Sequence, residues 1–235
     1  WAQNTIGSNN EPLTTATMHA QEAVLTGIEI VTMPADLQYY VGESLSTTGL
    51  KIKATYHDGN STQLTTGFTV SGFSSTAPGK KTITVTYQGK TTTFEVAVRA
   101  HGICGANLFW EMDENGTLTI SGTGAMIEWT SESQTPWYAY RTSVKKLIVE
   151  EGVTTIGDDA FYGCNSLINV IVPSTVTSIG GYAFSGCTGK LTVNCNVPNV
   201  IRYNGFYGAK FTEVIIGEGV TTIGHAAFSG CNQIA

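Results

Sequence analysis

Catalysis or metal binding needs nucleophiles, acids, bases or ligands at a workable spacing, so these residues come first. The four histidines, His19, His57, His101 and His225, fall in a polar N-terminal stretch, a hairpin turn, a linker and a repeat turn. No two of them share a local metal-ligand spacing. The five cysteines, Cys104, Cys164, Cys187, Cys195 and Cys231, are widely scattered. An odd, scattered set is not a disulfide framework, and no C-x-x-C pair is present for zinc. The acidic pairs Asp113-Glu114, Glu150-Glu151 and Asp158-Asp159 are chain neighbours in turns. Catalytic carboxylates face each other across a cleft, roughly 5–10 Å apart, so these pairs suit solvation or weak calcium contact better. There is no G-x-S-x-G elbow and no phosphate loop; Gly122-Thr-Gly124 lacks a third glycine and a following helix, and reads as a turn. Asn60-Ser-Thr62 and Asn115-Gly-Thr117 match the glycosylation sequon, but both also suit tight turns. The expectation is a chain that is no enzyme and takes no cofactor or metal.

The bulk composition points the same way. The 235 residues fit one large domain or two small ones. Only 13% are charged, against about 25% in ordinary globular chains. Abundant Gly, Thr, Ser and Val indicate β-structure with many turns. A net charge of −6 and a pI of 5.2 argue against nucleic acid, which asks for clustered Lys and Arg, and against docking on anionic lipid. No apolar run approaches the roughly 18 residues of a membrane-spanning helix, so direct membrane insertion is not expected. Trp1 opens the chain and Ala235 falls inside a repeat. The chain therefore reads as a piece of a longer protein whose export and anchoring signals lie elsewhere.

Internal self-similarity organises the C-terminal half. Val153-Thr-Thr-Ile-Gly157 followed by Ala160-Phe-Tyr-Gly-Cys164 recurs as Val176–Gly180 with Ala183–Cys187, and as Val220–Gly224 with Ala227–Cys231. A degenerate copy between them has Ile201, Phe206 and Gly208, with Ala209 in place of cysteine. The steps between Phe161, Phe184, Phe206 and Phe228 are 23, 22 and 22 residues. The other part of each unit reads L-x-x-L-x-L: Val144, Leu147, Val149; Leu167, Val170, Val172; Phe211, Val214, Ile216; with Leu191 and Val193 in the degenerate copy. One unit cannot bury these side chains alone, but stacked units can, with a parallel sheet on one side and short turns or 3₁₀ pieces on the other.

Residues 104–143 lead into this array. Trp110–Met112 and Thr117–Ile120 flank Asp113-Glu-Asn-Gly116, and Asn-Gly between alternating segments signals a hairpin. Leu118 and Ile120 imitate the L-x-L of a repeat strand. An N-terminal cap over the first coil is expected, with Trp129, Pro136 and Trp137 packed in its loop.

The I-G-x-x-A-F-x-G-C signature across roughly residues 104–235 resembles the BspA-type leucine-rich repeat of bacterial surface proteins. By that resemblance Cys164, Cys187 and Cys231 form a buried column of small apolar fillers. A disulfide along that column would use only two of the three.

The N-terminal half has another rhythm. Ile28–Val31, Leu50–Tyr56, Thr82–Tyr87 and Thr92–Val98 read as strands, separated by turns at Asp58-Gly59, Pro78-Gly79 and Gln88-Gly89. Strands at this spacing predict a β-sandwich. The run from Pro34 through Tyr40-Val-Gly-Glu43, Thr48-Gly-Leu50 and Tyr56-His-Asp-Gly59 to Gly79-Lys-Lys-Thr82 resembles a bacterial immunoglobulin-like domain.

The expected fold is mainly β, an N-terminal immunoglobulin-like sandwich plus a leucine-rich-repeat solenoid with a hairpin cap. The expected divisions are a polar tail over 1–23, the immunoglobulin-like domain over 24–99 and a hinge over 100–103. The cap over 104–143 and four repeats over 144–235 complete them, with further repeats expected to follow.

Within the repeat sheet, residues between the inward positions face outward. One outward column is Ile148, Ile171, Thr192 and Ile215; its neighbour is Lys146, Asn169, Lys190 and Glu213. An apolar stripe rimmed by polar groups marks an interaction surface, though β-forming residues on a sheltered sheet read the same way. The two resemblances imply an extracellular or cell-surface bacterial protein of adhesin type. Its partner would be a protein, a host extracellular matrix or cell-surface protein among the candidates, and its oligomeric state stays open. A structural wall spacer and an accessory module of a larger secreted hydrolase are the alternatives.

Overall fold

The computed structural model describes residues 23–195 and 205–234. His19, Ile201 and the polar tail up to residue 22 lie outside the described residues.

Alternating β-branched and polar residues build seven strands in the first half: β1 (Leu25–Thr32), β2 (Gln38–Tyr40), β3 (Lys51–Tyr56), β4 (Ser61–Leu64), β5 (Thr69–Ser71), β6 (Gly79–Tyr87) and β7 (Lys90–Gly105). One sheet has the order β1-β3-β4; in the other, β5, β6 and β7 pair antiparallel in turn, with β2 added parallel to β7. Their inward residues, among them Tyr39, Leu50, Ile52, Ile83, Val85, Phe94, Val96 and Val98, share one buried core. The β6–β7 turn is closed by Gln88 and Gly89, both with positive φ (44° and 78°). That is the backbone hand that matches strand twist in a two-residue hairpin.

Residues 100–103, expected as a hinge, are instead the interior of the 16-residue strand β7. Residues up to Val98 pair with β6, while Ala100, Gly102 and Ile103 pair antiparallel with β8 (Leu108–Met112). Alternation explains the difference: Val98, Ala100 and Cys104 are buried on the inward side, and Gly102 lets the Trp110 indole lie against the backbone. A Cβ on Gly102 would sit 2.7 Å from the indole nitrogen. One continuous hydrogen-bonded sheet therefore runs from β5 to the last coil.

Beyond β8 the chain forms β9 (Thr117–Gly122) and β10 (Gly124–Ala125), then two 3₁₀ turns, Glu132–Gln134 and Tyr138–Ser143. The coils follow as β11 (Lys146–Val149), β12 (Val153–Ile156), β13 (Asn169–Val172), β14 (Ser178–Ile179), β15 (Thr188–Val193) and β16 (Lys210–Ile216). Strands β9, β11, β13, β15 and β16 stack parallel as one ladder, and β10, β12 and β14 form a second. Leu118 and Ile120 pair in register with Leu147 and Val149, so the hairpin ends in a strand of the repeat type. Inward Leu147, Val170, Leu191 and their neighbours fill a single core with the corner residues.

At the corners, Phe161, Phe184, Phe206 and Phe228 stack with ring centroids 5.2, 5.2 and 5.0 Å apart. Trp137 begins this column, stacked 5.7 Å from Phe161 at 17°. Its indole donates a hydrogen bond to the Ala160 carbonyl, 2.7 Å away. Trp129 is buried beside it, but Pro136, expected in the same packing, is exposed. The A-F-x-G-C corners are single hydrogen-bonded turns rather than 3₁₀ helices, for example Cys164 N–H to Phe161 O. Left-handed residues at Asp159 (φ 54°) and Gly163 (φ 72°) stop any helix there. The ladder between β15 and β16 carries a register shift, with one extra residue of β16 opposite Gly189 and Lys190. Gly189 has φ 89°, and a Cβ there would lie 2.3 Å from the Ile168 carbonyl oxygen.

Candidate protein-binding face

Parallel pairing brings both predicted columns together on the outward side of the coil sheet. Lys146 pairs with Asn169, Asn169 with Lys190, and Lys190 with Glu213. Ile171 pairs with Thr192 and Thr192 with Ile215; Ile148 lies beside Thr119 of β9. Ile171 and Ile215 are 51% and 47% exposed, while Ile148 and Thr192 are half-buried. Lys190 and Glu213 form an ion pair of 2.6 Å with both side chains about half in solvent. Such a pair contributes on the order of 0–1 kcal/mol, so it orders the face more than it stabilises the fold.

The outward surface extends further than the sequence reading reached. Ile103 of β7 and Phe109 of β8 face each other across the sheet, 65% and 53% exposed, and Ile168 adds another exposed apolar residue. Alternation against buried Cys104, Leu108 and Trp110 could have found the first two, but the hinge expected over 100–103 concealed Ile103.

The acidic and imidazole groups have structural surroundings. Asp158 accepts a hydrogen bond from the Gly181 N–H of the next coil. Burial pushes Glu151 up, but hydrogen bonds from Ser174 and Thr175 outweigh it and hold the carboxyl below its usual range. Asp159 is raised by burial and by the nearby Glu132 and Asp158. His57 Nδ1 accepts from the Val24 N–H, and the His101 ring packs edge-on to Tyr40. His225 is exposed.

All five cysteines are free thiols. Cys187 donates to the Phe161 carbonyl and Cys231 to the Phe206 carbonyl, each in the preceding coil. Burial raises Cys187, Cys195 and Cys231, and pushes Cys104 up to about 12. A raised thiol is protonated and poorly nucleophilic. Among the described residues no three His, Cys, Asp or Glu lie close enough to hold a metal ion.

A cleft of about 360 Å³ lies where the Ala77-Pro78 turn approaches the 113–116 turn, lined also by Met112, Tyr140 and Lys145. Beside it Arg99 reaches across the junction of the two halves, 3.0 Å from Glu111 and 3.3 Å from Glu114.

Residues 32–98 match the bacterial Ig-like domain (group 3), and residues 135–231 match the BspA type leucine rich repeat region in six copies, where the phenylalanine spacing counts four. The chain is a bacterial Ig-like domain followed by BspA-type leucine-rich repeats. Both are domains of non-catalytic kinds, and domains of these types are typical of surface proteins. Pectate lyase L of Thermoclostridium stercorarium is 36% identical over 89 residues, 37% of this chain and 7% of that protein. Exo-beta-1,6-galactobiohydrolase of Bifidobacterium longum is 38% identical over 76 residues, 30% of this chain and 5% of that protein. The chain thus spans less than a tenth of these curated relatives. A leucine-rich repeat protein of Eubacterium ventriosum is similar in structure, with a TM-score of 0.43 and 28% identity, covering 58% of this chain and 42% of that one. Among the described residues no helix is long and apolar enough to cross a membrane.

Proposed function

We propose that this chain is a surface-displayed or secreted binding protein of adhesin type. The repeats form a leucine-rich-repeat solenoid whose outward sheet contacts a protein partner, and the Ig-like domain spaces it from its anchor. The observation that carries this reading is the outward apolar column of half-buried Ile148 and exposed Ile171 and Ile215, rimmed by Lys146, Asn169, Lys190 and Glu213. Apolar area of this kind on an ordered, rigid sheet suits recognition, and repeats of this type generally mediate protein interactions. A panel of extracellular matrix and cell-surface proteins tests it. The chain should capture a member of the panel, and Ile148→Asp with Ile171→Asp should abolish capture while leaving the melting temperature within a few degrees. Capture that survives both substitutions sinks the assignment of this face; no capture at all favours a structural wall spacer.

A second reading has its own support. Both curated relatives carry the names of polysaccharide-degrading enzymes, and the matched piece is a small fraction of each. On this reading the two domains are accessory modules of a larger secreted hydrolase. Reading the full-length gene product decides it: a catalytic domain in the same chain supports the accessory role.

A further inference from the structure

The cleft at the junction of the two halves is built from both domains. Gly79 pairs with Val98 and Met112 with Ala100, so the ends of β6 and β8 meet close together along β7. That brings Pro78 against the 113–116 turn. The third wall is the 3₁₀ turn Tyr138–Ser143, continued to Lys145. Each wall is fixed by contacts of its own. The Lys145 N–H donates to the Gly116 carbonyl at 2.8 Å, and a Cβ on Gly116 would lie 2.6 Å from the Ser143 carbonyl oxygen. The Tyr140 N–H donates to the carbonyl of buried Trp137 at 2.8 Å. Glu114 reaches Arg99 of β7 at 3.3 Å.

The lining divides into an apolar part and a polar rim. Pro78, buried Met112 and half-buried Tyr140 supply the first. Asp113, Asn115, Thr142 and Lys145 supply the second. One Asp113 oxygen accepts the Asn115 and Thr117 N–H groups, which leaves the other to accept from a ligand. Thr142 and Lys145 are exposed, and neither side chain has a hydrogen bond or ion pair among the described residues. Glu114 is committed to Arg99, so the rim offers a ligand one charge of each sign, Asp113 and Lys145. Such a rim suits a neutral ligand whose groups both donate and accept, which is the chemistry of a hydroxyl. The tyrosine ring and the apolar wall suit a ligand that is also apolar on one face. A pyranose ring combines the two, with C–H groups on its face and hydroxyls round its edge.

We propose that this junction cleft binds a neutral saccharide, with a sugar ring against Tyr140 and its hydroxyls on Asp113, Asn115 and Thr142. The cleft volume of about 360 Å³ lies at the small end of the roughly 300–1,000 Å³ of small-molecule sites, so a mono- or disaccharide fills it. The walls are already in place, which spares the cost of ordering them on binding. The cleft is open to solvent and holds its ligand weakly, with a dissociation constant on the order of 1 mM. The site is separate from the outward sheet and goes beyond both readings of function above.

Amide chemical-shift titration of the 235-residue chain tests this. The probes are glucose, galactose, mannose and N-acetylglucosamine, and β-linked disaccharides of each, taken to about 50 mM. At least one probe should give saturating shifts confined to amides of the 112–116 and 139–145 segments. Tyr140→Phe keeps the ring and should bind within about twofold of the unmodified chain, while Tyr140→Ala should weaken binding about tenfold. Thr142→Trp fills the cleft from an exposed position; it should remove binding and leave the melting temperature unchanged. Ile148→Asp with Ile171→Asp should leave the titration as it was, which separates this site from the outward sheet. The proposal is overturned if no probe gives saturating shifts by about 50 mM, or if the shifts centre on the outward sheet. Binding that survives both Tyr140→Ala and Thr142→Trp overturns it as well, as does tighter binding of glucuronate than of glucose. None of these failures touches the capture experiment on Ile148 and Ile171.

Discussion

The Trp137 ring lies 5.7 Å from Phe161 and nearly parallel to it, where a preceding coil would have placed its phenylalanine. It also touches Trp110 and Trp129 edge-on and donates to the Ala160 carbonyl. Trp137→Ala should therefore cost about 3–5 kcal/mol, the range for deleting a buried aromatic. Trp137→Phe keeps the stack and loses the hydrogen bond, at about 1–2 kcal/mol. Urea midpoints of the two variants check this, and equal losses would show that stacking is not the main contribution. Among the thiols, Cys104 gives a pH prediction. Its ordinary value of 9.0 is pushed up to about 12 by burial. Between those values the unfolded chain has released the proton and the folded chain still holds it. Stability is full below about pH 9 and falls as pH rises through the window. Cys104→Ala should show a shallower fall in urea stability between pH 8 and pH 10. At this scale the repeat phenylalanines were legible as one set; of the expected cysteine column Cys164 and Cys187 are buried filler, while Cys231 is only half-buried. Trp137 was placed in the cap, but its role as the first member of the ring column rests on a contact 24 residues away along the chain.

The three corners with an Ala-Phe pair each contain a residue with left-handed backbone just before it: Asp159, Tyr182 and Ala226, with φ of 54°, 53° and 57°. The chain must reverse there to carry the phenylalanine inward, and a side chain in that conformation costs about 1–2 kcal/mol. Ala226→Gly removes this cost, partly offset by the greater freedom of glycine in the unfolded chain. A net gain on the order of 0.5 kcal/mol is expected. The neighbouring Ala227→Gly, at a buried position without positive φ, should lose stability instead. Melting temperatures of the pair test this, and a loss in both would reject the strain argument. Non-glycine residues concealed the left-handed position in the sequence, where the corner read as a single turn or a 3₁₀ piece. The short strands β2, β4 and β5 were also missed, because three or four residues hold too little alternation to stand out.

β7 carries one hydrogen-bond ladder from the Ig-like domain into the cap, and Arg99 ties the junction to Glu111 and Glu114. Amides of residues 100–103 that bond within the sheet should exchange as slowly as those of Val96 and Val98. Exchange at loop rates in this stretch would restore the hinge. This is also where reading the chain reached its limit. The repeat, its parallel stacking, the hairpin entry and the outward columns were legible, because a period of 22 or 23 residues and a two-residue alternation are local patterns. The sequence alone thus determined a β-rich chain of two parts, one of them repetitive, with a side-chain order for each face. Only the tertiary structure decided that the two parts share a sheet, that Trp137 begins the aromatic column, and that Ile103 and Phe109 join the exposed face. Those outcomes depend on which distant strands pair, and strand pairing is set by packing across the whole chain rather than by any window of it.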